Sequence, residues 1–187
     1  MQKGRVILNA KRFQLTIDRL CHELIEVYGN FEDACIIGIQ QNGVWLADHL
    51  YHRLLAILKL KRIDYGKLDI TFYRDDFRIR TKPLEASSTE LDFLVHDKRV
   101  LLIDDVLYTG RTVQAALTAL QHYGRPRRVE LLSLVDRRFN RHLPIQSDYF
   151  GLTIDALEEA YVKVEWAERD GENRVLLFAN KKDKDQA

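Results

Sequence analysis

The chain has 187 residues, of which 46% are hydrophobic and 10% aromatic, and 29 Lys+Arg against 28 Asp+Glu leave a formal charge of +1. That composition can fill a core and excludes a disordered chain, a strongly basic coat and an acidic tail. Three prolines and nine glycines exclude collagen-like or linker-dominated chains. Cys21 and Cys35 form no framework and no metal-like pair, so they read as reduced core thiols. No stretch approaches the roughly 18 apolar residues of a membrane span, and the amino terminus lacks a long apolar run. The expectation is a cytoplasmic chain without membrane contact.

Short β-branched runs alternate with helical periodicity, the pattern of an α/β domain with a mostly parallel sheet. Val6 to Leu8 reads as an opening strand. Phe13, Ile17, Leu20, Leu24 and Val27 then repeat at helical spacing up to Gly29. Ala34 to Gln40 is a buried strand, and Val44 to Leu58 returns to a helix. Lys67 to Tyr73 alternates as a strand should. Arg74 to His96 is polar and aperiodic, a length of loop that suits a flexible lid. Arg99 to Val106 is the strongest strand, Thr112 to Tyr123 the helix after it and Val129 to Val135 the next strand, together one βαβ unit. Tyr161 to Trp166 and Arg174 to Phe178 flank the turn-like Asp170 to Asn173 as an antiparallel hairpin. One domain over residues 1–179 and a charged, frayed tail over 180–187 complete the expectation.

The segment VLLIDDVLYTGRT, residues 100–112, carries the chemistry. Two adjacent carboxylates, Asp104 and Asp105, interrupt a buried strand near its carboxyl end, the edge where open α/β sheets bind ligands. An unpaired carboxylate buried there is costly, whereas a pair can accept hydrogen bonds from a ribose diol. Tyr108, Thr109, Gly110, Arg111 and Thr112 lead into a helix, so backbone N–H groups and two hydroxyls can converge on an anion. Gly110 permits close backbone approach. The Walker spacing is absent. The competing reading is that the aspartates merely end a strand and that Thr109 or Thr112 caps a helix.

The run IDDVLYTGRT resembles the phosphoribosyl-diphosphate (PRPP) signature of type I phosphoribosyltransferases. HELIE at 22–26, DITFYRDD at 69–76 and LVDRR with LPI and DYFG between 134 and 151 narrow the resemblance. It is to the pyrimidine operon attenuation proteins that are also uracil phosphoribosyltransferases. The resemblance implies the type I phosphoribosyltransferase fold: a mostly parallel central sheet flanked by helices, with a small hood and a flexible lid loop. It implies transfer from PRPP to uracil, giving UMP and diphosphate, with Mg²⁺ held through PRPP. Asp104 and Asp105 would then hold the ribose hydroxyls, within a PRPP and nucleotide site of Asp104, Asp105, Val106, Leu107, Tyr108, Thr109, Gly110, Arg111 and Thr112. Tyr73, Arg74 and the following residues would form the lid, with Arg78 and Arg80 assisting catalysis. Val135, Asp136 and Arg137 would lie on the base side.

Two departures from the family stand out. The pyrophosphate loop reads Gln40, Gln41, Asn42, Gly43, with a neutral amide where an arginine is typical, which weakens stabilisation of the leaving group. The family's messenger RNA leader surface retains Arg19, His22 and Arg141, but Asp18, Val27, Asn140, Gln146 and Leu152 occupy places where basic or polar contacts are expected. A UMP-responsive RNA-binding attenuator and a non-catalytic PRPP or nucleotide sensor are the alternative functions. A dimer or tetramer is expected by resemblance. The six histidines are scattered and offer no metal site.

Overall fold

The computed structural model describes residues 4–75, 88–156 and 159–180. The first element, β1 (Arg5–Leu8), leads into α1 (Ala10–Tyr28), whose start is capped by the Asn9 side chain accepting from the Arg12 N–H at 3.0 Å. Phe13, Ile17, Leu20 and Leu24 form the buried face as expected, but the stripe closes on Tyr28, and Val27 is left exposed. Burying each large apolar side chain of that stripe contributes about 1.5–3 kcal/mol. β2 (Ala34–Ile39) is buried throughout, and α2 (Asn42–Leu58) follows.

The next strand lies earlier than alternation suggests. β3 (Asp64–Leu68) is bounded by parallel pairing with β2, from Cys35 opposite Asp64 to Ile39 opposite Leu68. Thr71–Tyr73 is a 3₁₀ turn, not strand, because the Asp69 carboxylate takes the Thr71 N–H at 3.0 Å and its hydroxyl at 2.6 Å. β4 (Arg99–Leu107), α3 (Arg111–Leu120) and β5 (Arg128–Arg138) form the expected unit, with β4 and β5 parallel.

β6 (Tyr149–Asp155) was not recognisable as a separate element and pairs parallel to β5. β7 (Tyr161–Glu165) and β8 (Arg174–Phe178) form the expected antiparallel hairpin around the short helix α4 (Ala167–Asp170). β1 joins the hairpin, so the opening strand belongs to this small sheet of order β1-β8-β7 and not to the central one.

The central sheet is parallel, with order β3-β2-β4-β5-β6. Two apolar layers enclose it. On one face, α1 and α2 pack against Ile36, Leu101, Ile103, Leu132 and Leu134; on the other, α3 packs against Cys35, Ile37, Val100 and Leu102. Burial on both faces explains why β2 and β4 read as continuous apolar runs. Cys21 and Cys35 are free and buried, and burial pushes each thiol up to about 12. They are inert core groups at neutral pH. Among the described residues, no helix is long and apolar enough to cross a membrane.

β5 also carries a buried carboxylate, Glu130. It accepts from the Tyr28 hydroxyl at 2.7 Å and the Tyr149 hydroxyl at 3.1 Å. Burial alone would raise its pKa, but those hydroxyls together with Arg128 and Arg99 hold it below the ordinary value. This network ties α1, β5 and β6 together.

Candidate functional site

Asp104 and Asp105 lie within β4, three and two residues before its end, and both are buried. The Asp105 N–H donates to the Asp104 carboxylate at 3.0 Å. Burial, and then the neighbouring Asp105 charge, push the Asp104 carboxyl well above the ordinary carboxylate range. Burial also lifts Asp105, to about 6, against the lowering effect of hydrogen bonds from the Val106 backbone and the Asn42 side chain. Two adjacent carboxylates buried inside a sheet cost stability when ionised unless a ligand uses them.

They line two cavities. One, of about 450 Å³, is bounded by Asp104, Arg74, Asp75 and the turn from Tyr108 to Thr112. The other, of about 390 Å³, is bounded by Asp105, Asn42, Arg137, Glu159 and Tyr161. Val106 and Tyr108 line both, so the cavities share a wall at the end of β4. Leu107 borders only the first of them among the residues that bound these two.

The turn after β4 distinguishes the two readings of its threonines. Gly110 is the residue before α3, at φ 90°, and no side chain caps that helix. Thr109 Oγ1 reaches the Arg111 N–H only at 3.4 Å. The first-turn N–H groups of α3 therefore face the larger cavity without a capping carboxylate or hydroxyl at normal distance, the arrangement of an anion site. Arg111 points its guanidinium at the Asp75 carboxylate, and Arg74 faces Asp104. Arg78 and Arg80 lie outside the described residues.

The pyrophosphate-loop residues divide. Gln40 ends β2's extension and donates through its side chain to the Ser88 carbonyl at 3.0 Å. Gln41 precedes α2, whereas Asn42 and Gly43 form its first turn. Gly43 serves packing: a Cβ there would stand 2.4 Å from the Ile103 carbonyl oxygen and 3.0 Å from the Asp104 Cα. Its absence of side chain lets the start of α2 press onto β4 beside the carboxylates. Gly43→Ala is expected to destabilise the fold by roughly 3 kcal/mol in chemical denaturation, because backbone cannot yield as a flexible side chain would. An unchanged midpoint would show that α2 can lift off β4.

The base-side residues also take different roles. Val135 is wholly buried in the core, so only its backbone is available to a ligand. Asp136 is paired with Arg141. Arg137 is buried, with its guanidinium 4.0 Å from the Tyr108 ring centre. The stack stands in the wall of the second cavity, which Tyr108 shares with the first. Glu159 and Tyr161, supplied by the small sheet and the loop before it, were not anticipated. No local motif marks them, since they reach the site only through the hairpin's docking.

Arg19, His22 and Arg141, associated with RNA by resemblance, are not equivalent. His22 is exposed on α1. Arg19 donates to the carbonyls of Phe150 and Gly151 at 2.7 and 3.0 Å and pairs with Glu23. Arg141 is partly buried and bonded to Tyr108 and Asp136. The nearby Asp18 is paired with Arg53 at 2.7 Å.

The aspartates also bear on a metal. Among the described residues, no group of three or more His, Cys, Asp or Glu could hold an ion by itself. Two adjacent carboxylates beside an anion site suit a hard cation that arrives with its own phosphate oxygens.

Comparison with known proteins agrees with this geometry. The phosphoribosyl transferase domain family matches residues 5–169. Proteins named Bifunctional protein PyrR are similar over nearly the whole chain. The one from Caldicellulosiruptor bescii is 39% identical over 95% of this chain and 96% of its own. That from Desulfosudis oleivorans is 42% identical over 95% and 97%, and that from Bacillus cereus 37% over 95% and 99%. Among solved structures, a hypoxanthine phosphoribosyltransferase from Staphylococcus aureus superposes with a TM-score of 0.68 at 20% identity, covering 96% of this chain and 94% of its own. The hypoxanthine phosphoribosyltransferase of Trypanosoma cruzi gives 0.68 at 13% identity, covering 95% and 97%. The fold and the sequence converge on one assignment: the chain belongs to the phosphoribosyltransferase family, in the group of bifunctional PyrR proteins.

Proposed function

We propose that this phosphoribosyltransferase moves the ribosyl 5-phosphate of PRPP to uracil, releasing diphosphate and forming UMP. The observation that carries the reading is the pair of cavities separated by Val106 and Tyr108, with one buried carboxylate in each. In this reading the uncapped start of α3, with Thr109 and Thr112, takes the 5′-phosphate. Asp104 and Asp105 accept from the ribose hydroxyls, which fixes the sugar's height at the strand end. The second cavity receives the base and diphosphate, with Asn42 at the start of α2 on the leaving-group side and the Arg137 and Tyr108 stack as a planar wall.

Transfer breaks the bond from the anomeric carbon to diphosphate and forms one to a uracil nitrogen, whose proton leaves. Positive charge develops on the sugar as negative charge collects on the leaving group. The protein's part is alignment and exclusion of water from an oxocarbenium-like sugar, so no protein nucleophile is needed. A bound Mg²⁺, carried on the diphosphate, would supply neutralising charge to the leaving oxygens. Incubation with PRPP, Mg²⁺ and radiolabelled uracil is expected to yield labelled UMP. Retained PRPP binding without nucleotide would remove the transfer reaction and leave a sensor.

The second activity implied by the family is recognition of a pyrimidine-operon messenger RNA leader, enhanced by UMP. The exposed His22 and half-exposed Arg19 on α1 support it, although Arg19 shares its charge with Glu23. Equal affinity for leader and unrelated RNA, with or without UMP and abolished by salt, would exclude it. A cytoplasmic location and a dimer or tetramer belong to the same proposal.

A further inference from the structure

We infer that Arg141 is a positioning residue for PRPP, holding the phosphate turn to the strand that borders the base; this rests on the reading of residues 108–112 as the phosphate site. Its guanidinium donates through one terminal nitrogen to the Tyr108 carbonyl and through the other to the Asp136 carboxylate at 2.5 Å. Both side chains are largely enclosed, at 21% and 15% exposure. A bridge so placed acts between fixed partners and is far less screened than a surface pair.

The segment after Arg141 completes the support. The His142 N–H donates to the Thr109 carbonyl at 3.0 Å. Leu143 and Ile145 pack so that a Cβ on Gly110 would meet them at 3.3–3.4 Å. Tyr108 is thus gripped twice from consecutive residues of β5: its ring lies under Arg137, and its carbonyl is tied through Arg141 to Asp136. A turn that must present several N–H groups to one phosphate loses affinity when its first residue can drift, and this bridge removes that freedom. The same engagement explains why Arg141 differs from a cation on an open RNA face. Its terminal nitrogens each already have an oxygen partner.

The test uses the full chain with Arg141→Gln, Arg141→Lys, Asp136→Asn and the Arg141→Gln, Asp136→Asn pair. Calorimetric titration with PRPP and Mg²⁺ is expected to show about tenfold weaker binding for Arg141→Gln. Turnover at saturating PRPP should stay within about twofold, since the altered step is binding. Arg141→Lys should recover part of the loss. The double variant should be little worse than either single one, because both remove one bridge. Amide exchange at residues 109–112 of the ligand-free protein should rise in Arg141→Gln without a matching fall in melting temperature. Wild-type binding together with unchanged titration and exchange in Arg141→Gln overturns this inference alone. Loss of RNA affinity with PRPP binding intact would also overturn it. Failure of the wild-type protein to take up PRPP removes the phosphate-site reading and this inference together.

Discussion

Asp104→Asn and Asp105→Asn, combined, are expected to abolish PRPP binding while raising the melting temperature of the ligand-free protein. The opposed signs follow from burial. In the ligand-free chain burial together with the neighbouring Asp105 charge raises Asp104, and burial raises Asp105 from 3.8 to about 6. A rise of that size corresponds to about 3 kcal/mol of stability forgone when the group is ionised. Asparagine keeps the shape and removes the charge. With ligand, the balance reverses, because two charge-assisted acceptors for the ribose hydroxyls are lost, about 100-fold or more in affinity. Calorimetric titration and thermal unfolding on one preparation test both halves. Unaltered PRPP uptake would misplace the pocket, and a lowered melting temperature would mean that the carboxylates stabilise the empty fold.

The same shift predicts opposite pH slopes. Between 3.8 and about 6 the folded Asp105 retains a proton that the unfolded chain has released. Unfolding therefore sheds protons, and the ligand-free stability attributable to this group falls as pH rises through that window, then levels above it. Asp104, also shifted upward by burial and by Asp105, adds a loss of the same sign as pH rises above the ordinary carboxylate range. PRPP affinity should run the other way, gaining as the carboxylates ionise. An affinity flat from pH 5 to 8 would argue that the ribose is held by groups other than these.

How far the sequence disclosed this site depends on whether a property was local. β4 was readable because burial on both faces demands an apolar run, and the two aspartates near its end interrupt that run. The uncapped turn was readable in outline, since Gly110 directly precedes the helical pattern. β3 was displaced because its limits come from pairing with β2, not from its own alternation. Arg141 was associated with RNA by resemblance, and nothing near it in sequence reveals the Tyr108 carbonyl it serves. Glu159 and Tyr161 arrive from a different sheet. In each missed case the determining partner is distant along the chain.

Asn42 is the residue where a readable departure meets an unreadable contact. The neutral amide in place of arginine follows from the family resemblance, whereas its hydrogen bond to Asp105 emerges only when α2 seats on β4. The two facts predict separate effects of two substitutions. Asn42→Ala removes a donor that lowers Asp105, so the acid limb of PRPP binding should move above about 6. Asn42→Arg supplies a cation at the cavity proposed to receive the leaving diphosphate. The start of a helix disfavours a cation by only about 0.3–1 kcal/mol. Attraction to a carboxylate and to developing charge on diphosphate is larger, so turnover should rise about tenfold and the acid limb should move below its wild-type position. Steady-state rates across pH, with PRPP varied, separate these outcomes. A folded Asn42→Arg protein with wild-type turnover and an unmoved acid limb would place this side chain away from the path of the departing group, and the weakened-loop explanation would fall.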